Sequence, residues 1–430
     1  MSQNRVILIF SVLFFIIVSF FLYWHAPGEY VHFATDSLRY HFMAQRFSFK
    51  ELPLEVLGYP FFLKIFYHLF GCSLGVIVGV QVLLSVMTLF LLRKIVCALH
   101  GETAQTLVTL WWVGNLGFFI YSQLFLIEIV LALLYVWFVE RCIAFYEKSS
   151  LFTIAQAGLI LSLSVLFRPA ALFYAFCFTP FLLFISKKTL LYRMKAAVLF
   201  IVVFYMPLLL YMMTNYLIFK NFTLCPVMNV NLFLFFYPKL LFSFQQKGIT
   251  STPLMNAIDT DIAQNNITFK TQANLIKLIL EYPFFAIKIW LFNMIKSCIG
   301  LYQAEWKLFF ERCDQGVSFF NLPGSLLANM KHYIAQGTHQ YWLYALGWYE
   351  VSYLMVEYIF AAIGSCWLLC QKKIWLFFFA LSFIVYLVLI TGPDGSGRFR
   401  MMIEPWLLVL ASFGIAFIFG IKVKNKKYCD

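Results

Sequence analysis

The sequence predicts an all-α polytopic membrane protein, and three observations carry that prediction. The 430 residues are 63% hydrophobic and 12% charged, with a mean hydropathy of +0.83, whereas soluble domains carry about 25% charged residues. Ten apolar runs approach or reach the roughly 20 residues that a helix needs to cross a bilayer. The basic residues, which give a formal net charge of +13, fall in short clusters between those runs and not on one soluble face, so a nucleic-acid partner is excluded.

In chain order the expected spans are 6–24, 72–92, 104–121, 123–140, 151–167, 169–186, 196–217, 349–370, 374–391 and 404–421. The first follows a single basic residue, exceeds a typical signal h-region and has no small-x-small cleavage site, so it reads as a retained helix. Arg93-Lys94, Arg141 with Lys148, Lys187-Lys188 with Arg193 and Lys195, Lys372-Lys373 and the Lys422–Lys427 tail all fall on one side. By the positive-inside rule that side is cytoplasmic, with both termini there. The ten cysteines lie mostly in or at the ends of apolar runs, without a CxxC or histidine partners at zinc spacing, and point to neither a metal site nor a disulfide framework.

The other face then receives residues 25–71, the turns near 122 and 168, the long segment 218–348 and the 392–403 loop. In 25–71, Phe42, Phe47 and Phe49 interleave with Arg39, Arg46 and Lys50, and Tyr59-Pro60 opens a second apolar stretch, the pattern of helices lying in the interface plane. Within 218–348, residues 283–301 are apolar enough to dip into or cross the membrane, although Lys288 and Lys296 argue against a clean span. The chain reads as one transmembrane domain with no internal repeat.

Ionisable residues at the rim of a span are costly and mark function by default. Asp36 comes soon after the first span, and if it opens a helix then Asp36, Tyr40 and Ala44 share one face over about two turns. Asp36 would then be either an N-cap or a chemical centre favoured in its ionised form by the helix dipole. Glu128 lies in the fourth span with no basic residue within helical reach, so it pairs with another helix or lines a wet cavity. Arg168-Pro169 sits between two spans, where Arg168 could reach headgroups or hold a phosphate with its planar fork. Gly392-Pro393-Asp394-Gly395-Ser396-Gly397-Arg398-Phe399-Arg400 is a tight loop that ends in two arginines able to grip an oxyanion in bidentate fashion, followed by Glu404-Pro405. Asp394 could pair with either arginine. His41 lies beside the Asp36 face, and Asp259 with Asp261 reads as a solvated loop pair.

The pattern Asp36-Ser37-x-x-Tyr40-x-x-x-Ala44 resembles the first-loop motif of the GT-C glycosyltransferases, nearest the bacterial protein-mannosyltransferase-like and aminoarabinose-transferase-like branch (glycosyltransferase family 39-like). Tyr59-Pro60, Glu128, Arg168-Pro169 and Gly397-Arg398-Phe399-Arg400 with Glu404-Pro405 follow in the family's order. The resemblance implies a GT-C-like fold and transfer of a sugar from a polyprenyl-phosphate carrier to a lipid, glycan or protein acceptor on the outer face of the plasma (bacterial inner) membrane, with inversion. Family members often have Asp-Glu where this chain has Asp36-Ser37, so no adjacent carboxylate is present to bridge a divalent metal, and neither a metal nor another cofactor is expected.

Carried onto these residues, Asp36 takes the proton of the acceptor hydroxyl and Glu128 orients the acceptor or Asp36. Arg168, Arg398 and Arg400 bind the donor phosphate, while Arg39, Tyr40, Tyr59 and Glu404 support them. Nucleotide sugars are not available outside the cytoplasmic membrane, which independently favours a lipid-linked donor. The alternative is a transporter or flippase of a lipid-linked or anionic solute that uses the same charges as a path. Against it stand the gathering of the charges at one face and the lack of paired, interrupted halves.

Overall fold

The computed structural model describes residues 3–28, 32–33, 36–46, 57–185, 188–225, 231–249, 252–263, 269–311, 325–336, 338–392 and 395–420. Asp394, residues 47–50 and the tail from residue 421 lie outside them. Every regular element among the described residues is helical. In order these are α1 (Gln3–Trp24), α2 (Ser37–Gln45), α3 (Gly58–Phe70), α4 (Leu74–His100), α5 (Glu102–Gly114), α6 (Leu116–Gln123), α7 (Glu128–Lys148), α8 (Leu151–Phe167), α9 (Tyr174–Ile185) and α10 (Leu190–Phe219). After a π-turn over Asn231–Phe236 come α11 (Tyr237–Gln245), α12 (Pro253–Ala263), α13 (Phe269–Glu281), α14 (Pro283–Ile299), α15 (Gln303–Glu311), α16 (Leu326–Ala335), α17 (Tyr341–Cys370), α18 (Ile374–Thr391) and α19 (Glu404–Ile418).

Six of these, α1, α4, α7, α10, α17 and α18, are long and apolar enough to cross a membrane, and the α14–α15 pair, bent by 68°, makes a seventh if it is one broken span. The chain is a multi-pass membrane protein. Helices α8, α9 and α19 are apolar but shorter, at 17, 12 and 15 residues, so α19 rises only about 23 Å against a hydrocarbon core of about 30 Å. The span expected at 104–121 is not continuous: α5 stops at Gly114 and α6 restarts after Asn115, whose side chain accepts a 2.9 Å bond from Gly117 N.

The centre of the bundle is α19, buried along nearly its whole length against α4, α5, α7 and α17. Leu343, Gly347, Glu350, Leu354, Glu357, Ala361, Gly364 and Leu368 form a buried stripe on α17 with spacings of four and three, the repeat that keeps one seam facing a partner helix. At Gly364 and Gly414 the two backbones touch, so that a Cβ on either would collide with a carbonyl of the other helix. Such close approach is how helices associate where lipid offers no hydrophobic drive.

Opposite ends of the bundle differ in chemistry. At one end Lys94 pairs with Glu140 at 2.9 Å, Lys373 Nζ donates to Leu99 O at 2.7 Å and Thr106 Oγ1 donates to Asn4 at 2.7 Å. The basic clusters on α4, α7 and α18 therefore share one face. At the other end lie α2 and α3, joined by the His41 Nδ1–Tyr67 hydroxyl contact at 2.8 Å, the 124–127 connection, Arg168 and the 397–402 turn. Helices α11 to α14 add a satellite core of Phe236, Tyr237, Leu240, Phe244, Ile258, Leu275 and Leu278.

Candidate active site

Asp36 stands at the N-terminus of α2, and its side chain makes no capping bond to that helix. It turns instead to Arg398, whose Nη2 donates to Asp36 Oδ2 at 2.9 Å. Of the two roles open to Asp36, the cap is thus not the one its side chain takes. One turn on, Tyr40 packs edge-to-face on Tyr59 at 5.3 Å and Ala44 is fully buried, so the Asp36–Tyr40–Ala44 face points inward.

Glu128 is the first residue of α7 and is 1% exposed. Arg168 Nη1 approaches its Oε1 at 3.5 Å and Arg398 Nε approaches the same oxygen at 3.8 Å. One carboxylate thus holds two guanidinium groups from different connections, and both lie within electrostatic reach of Asp36. The ring of Phe399 lies under Arg168 at 4.2 Å and beside Arg398 at 5.4 Å, which fixes the planes of both forks. Asp36, at 33% exposure, is the most open member of this ion-pair set.

Burial works to raise the Asp36 carboxyl, but the charge and hydrogen bond of Arg398, with Arg39 and Arg168, outweigh it and hold the group below the usual carboxylate range. The Tyr40 hydroxyl is pushed up to about 12, first by burial and then by the Asp36 charge, so it stays protonated as a donor. Arg39 itself is exposed, 5.8 Å from the Tyr40 ring centroid.

A break in the helical backbone makes the Glu128 position possible. Between α6 and α7 the chain runs non-helically through buried Leu124–Ile127, and its freed peptide groups need internal partners at this depth. Gln81 on α4 donates to Ser122 O at 3.0 Å and Leu124 O at 2.9 Å, while Phe125 N donates to His32 O at 3.0 Å. The Tyr59 hydroxyl donates to Gln81 Oε1 at 2.7 Å and fixes that amide. Tyr59 therefore supports Glu128 through Gln81.

Arg400 does not join Arg168 and Arg398. It is 1% exposed, with Nε 3.0 Å from Glu404, Nη2 2.9 Å from Glu350, Nη1 bonded to Gly300 O at 2.6 Å, and the Tyr302 ring 3.8 Å away. This buried setting separates it from Arg168 and Arg398, with which the sequence pattern groups it. Glu404, fully buried, also takes bonds from Asn115 and from the Tyr302 hydroxyl. Glu350 accepts from Tyr302 N at 2.6 Å and Gln303 N at 2.8 Å, neutralising the start of α15. Arg400 and Glu404 thus form a clamp that ties α14, α15, α17 and α19 behind the site.

Gln81, Asn115, Glu350 and Glu357 are each a polar residue in an apolar stretch, the signal by which sequence marks them, whereas Glu305 lies among other polar residues and carries none. Among the described residues no group of three or more His, Cys, Asp and Glu is arranged to hold a metal ion. Fold and site define a multi-pass, all-helical membrane protein with an ion-paired centre at one end of the bundle. No protein-family model matches the chain, and neither a curated protein nor a solved structure shows significant similarity to it.

Proposed function

We propose that the chain is a membrane glycosyltransferase that moves a sugar from a polyprenyl-phosphate donor to an acceptor hydroxyl of an envelope lipid, glycan or protein. The observation that carries this reading is the convergence of Asp36, Glu128, Arg168 and Arg398 from four separate connections at the end of the bundle opposite the basic clusters. The proposal includes ten spans, counting α5–α6 as one broken span with α8, α9 and α19, and both termini in the cytoplasm. The site then opens to the outer face of the plasma membrane.

In the reaction the acceptor oxygen attacks the anomeric carbon while its proton passes to Asp36. The bond from that carbon to the phosphate oxygen breaks, and the electron pair leaves with the polyprenyl phosphate. Arg398 and Arg168 stabilise the charge that develops there. Inversion is what such a single displacement gives. In the resting site Arg398 is held by Asp36, so a donor phosphate that draws Arg398 away also returns basicity to the carboxylate at the moment it is needed. Glu128 keeps both arginines in place, and Arg400 serves the scaffold.

The reading is tested with a panel of radiolabelled polyprenyl-phosphate sugars added to membranes that contain or lack the chain, with vesicle uptake followed in parallel. Label in a new covalent product supports transfer. Label that crosses the membrane unchanged sinks the enzyme and favours a transporter.

A further inference from the structure

Glu305 is 6% exposed, and its Oε2 has no hydrogen-bond partner among the described residues. It sits in the first turn of α15, one turn after Tyr302, and its backbone N bonds Tyr302 O at 2.9 Å. The face of α15 that carries it is fixed on both sides. Phe309, at i+4, meets the His32 ring edge-on at 5.5 Å, and Tyr302 meets the Tyr121 ring edge-on at 5.4 Å. His32 leads into Asp36 and Tyr121 leads into Glu128, so this face looks into the site from behind. Glu305 lies within electrostatic reach of Arg398, Glu128 and Tyr121. The Tyr121 hydroxyl is fully buried and also lacks a partner among the described residues.

A buried acceptor and a buried donor within electrostatic reach of each other, neither satisfied among the described residues, are costly unless a ligand completes them. Their chemistry calls for a group that both donates and accepts, as the hydroxyls of a polyol do. We infer that Glu305, with Tyr121, grips the hydroxyls of the sugar on the donor, an inference that rests on the glycosyl-transfer reading. Arg398 and Arg168 hold the phosphate, while Glu305 and Tyr121 hold the ring attached to it.

The test measures dissociation constants of detergent-solubilised full-length protein for polyprenyl phosphate alone and for polyprenyl-phosphate hexose. The wild type is expected to bind the hexose-bearing lipid at least about tenfold more tightly, the worth of one hydrogen bond to a charged group. Glu305→Gln, nearly isosteric, keeps the affinity for polyprenyl phosphate and loses most of the sugar increment. Glu305→Asp, with a shorter reach, gives an intermediate increment and replaces the Gln variant if that one fails to fold. An increment equal in wild type and Glu305→Gln, or absent from the wild type, overturns the assignment while leaving phosphate recognition standing. A wild type that binds neither lipid overturns the glycosyl-transfer reading and this assignment with it.

Discussion

Arg398 Nη2 lies 2.9 Å from Asp36 Oδ2, joining two connections that are 362 residues apart in the chain. Nothing local demands this contact: Asp36 makes no capping bond to its own helix and turns to Arg398 instead. A pair so placed closes the bundle at the end where α2, α7 and the 397–402 turn meet.

In the proposed reaction Arg398 is the fork that meets the leaving phosphate. Arg398→Gln is expected to lower transfer by about 10²–10³-fold, the usual effect of losing one oxyanion donor. Arg398→Lys recovers part of that, since it keeps the charge without the planar fork. Initial rates at matched protein level read this directly, and an unchanged rate in Arg398→Gln removes the arginine from the site.

The pH dependence follows from the same pair. The Asp36 carboxyl is depressed overall, with burial opposed by Arg398, Arg39 and Arg168. A depressed group stays ionised above its lowered value, so the pairing is present through the neutral range and is lost only as pH falls below the ordinary carboxylate range. The acid limb of the rate profile should lie in that acidic region. In Arg398→Gln the burial contribution loses its main opponent and the limb moves to higher pH. A limb that stays in place argues that Asp36 does not govern the rate.

Gln81 and Tyr59 act at one remove. Gln81→Leu leaves the carbonyl of Ser122 without its donor, while Leu124 O keeps its bond from Leu126 N at 2.8 Å, so about 1–3 kcal/mol is expected for the one unpaired buried group. It should lower kcat and thermal stability together by releasing the segment that sets Glu128. Tyr59→Phe removes one hydrogen bond and should cost about 1 kcal/mol of stability with a smaller effect on rate. Thermal melts alongside steady-state rates separate the two variants.

Arg400 and the α17–α19 seam predict stability effects and not recognition effects. Arg400→Ala leaves the carboxylates of Glu350 and Glu404 without their counter-ion and should destabilise the fold by about 3–5 kcal/mol, as in other broken buried pairs. Gly364→Val drives a side chain into the α19 backbone and should abolish monodisperse protein on size exclusion. Folded Arg400→Ala molecules that bind polyprenyl phosphate normally fit this assignment. Loss of binding without loss of melting temperature returns Arg400 to the phosphate site.

The four charges that meet in the candidate site, Asp36, Glu128, Arg168 and Arg398, were legible because each is an ion at the rim of an apolar run, where the cost of charge makes it conspicuous. Arg400 shows where that reasoning stops. Residues i and i+2 share a face in extended chain, but Arg398 and Arg400 lie on a 3-10 turn, where two steps rotate the side chain by about 240°. One arginine meets Asp36 and the other meets Glu350. Hydropathy could not locate the break at Asn115, because apolar residues continue across it; there the Asn115 side chain accepts from Gly117 N and donates to Glu404, 289 residues away. The seven-residue spacing of Glu350, Glu357 and Gly364 was legible, but it becomes a helix seam only once Gly414 is placed opposite.

The central claim is that Asp36 takes the acceptor proton, and the transfer rate of Asp36→Asn in reconstituted vesicles tests it most directly. The change keeps the size of the side chain and removes its basicity, so the account predicts protein that inserts and melts near the wild type while transferring sugar at least about 10²-fold more slowly. Transfer at the wild-type rate by folded Asp36→Asn contradicts it.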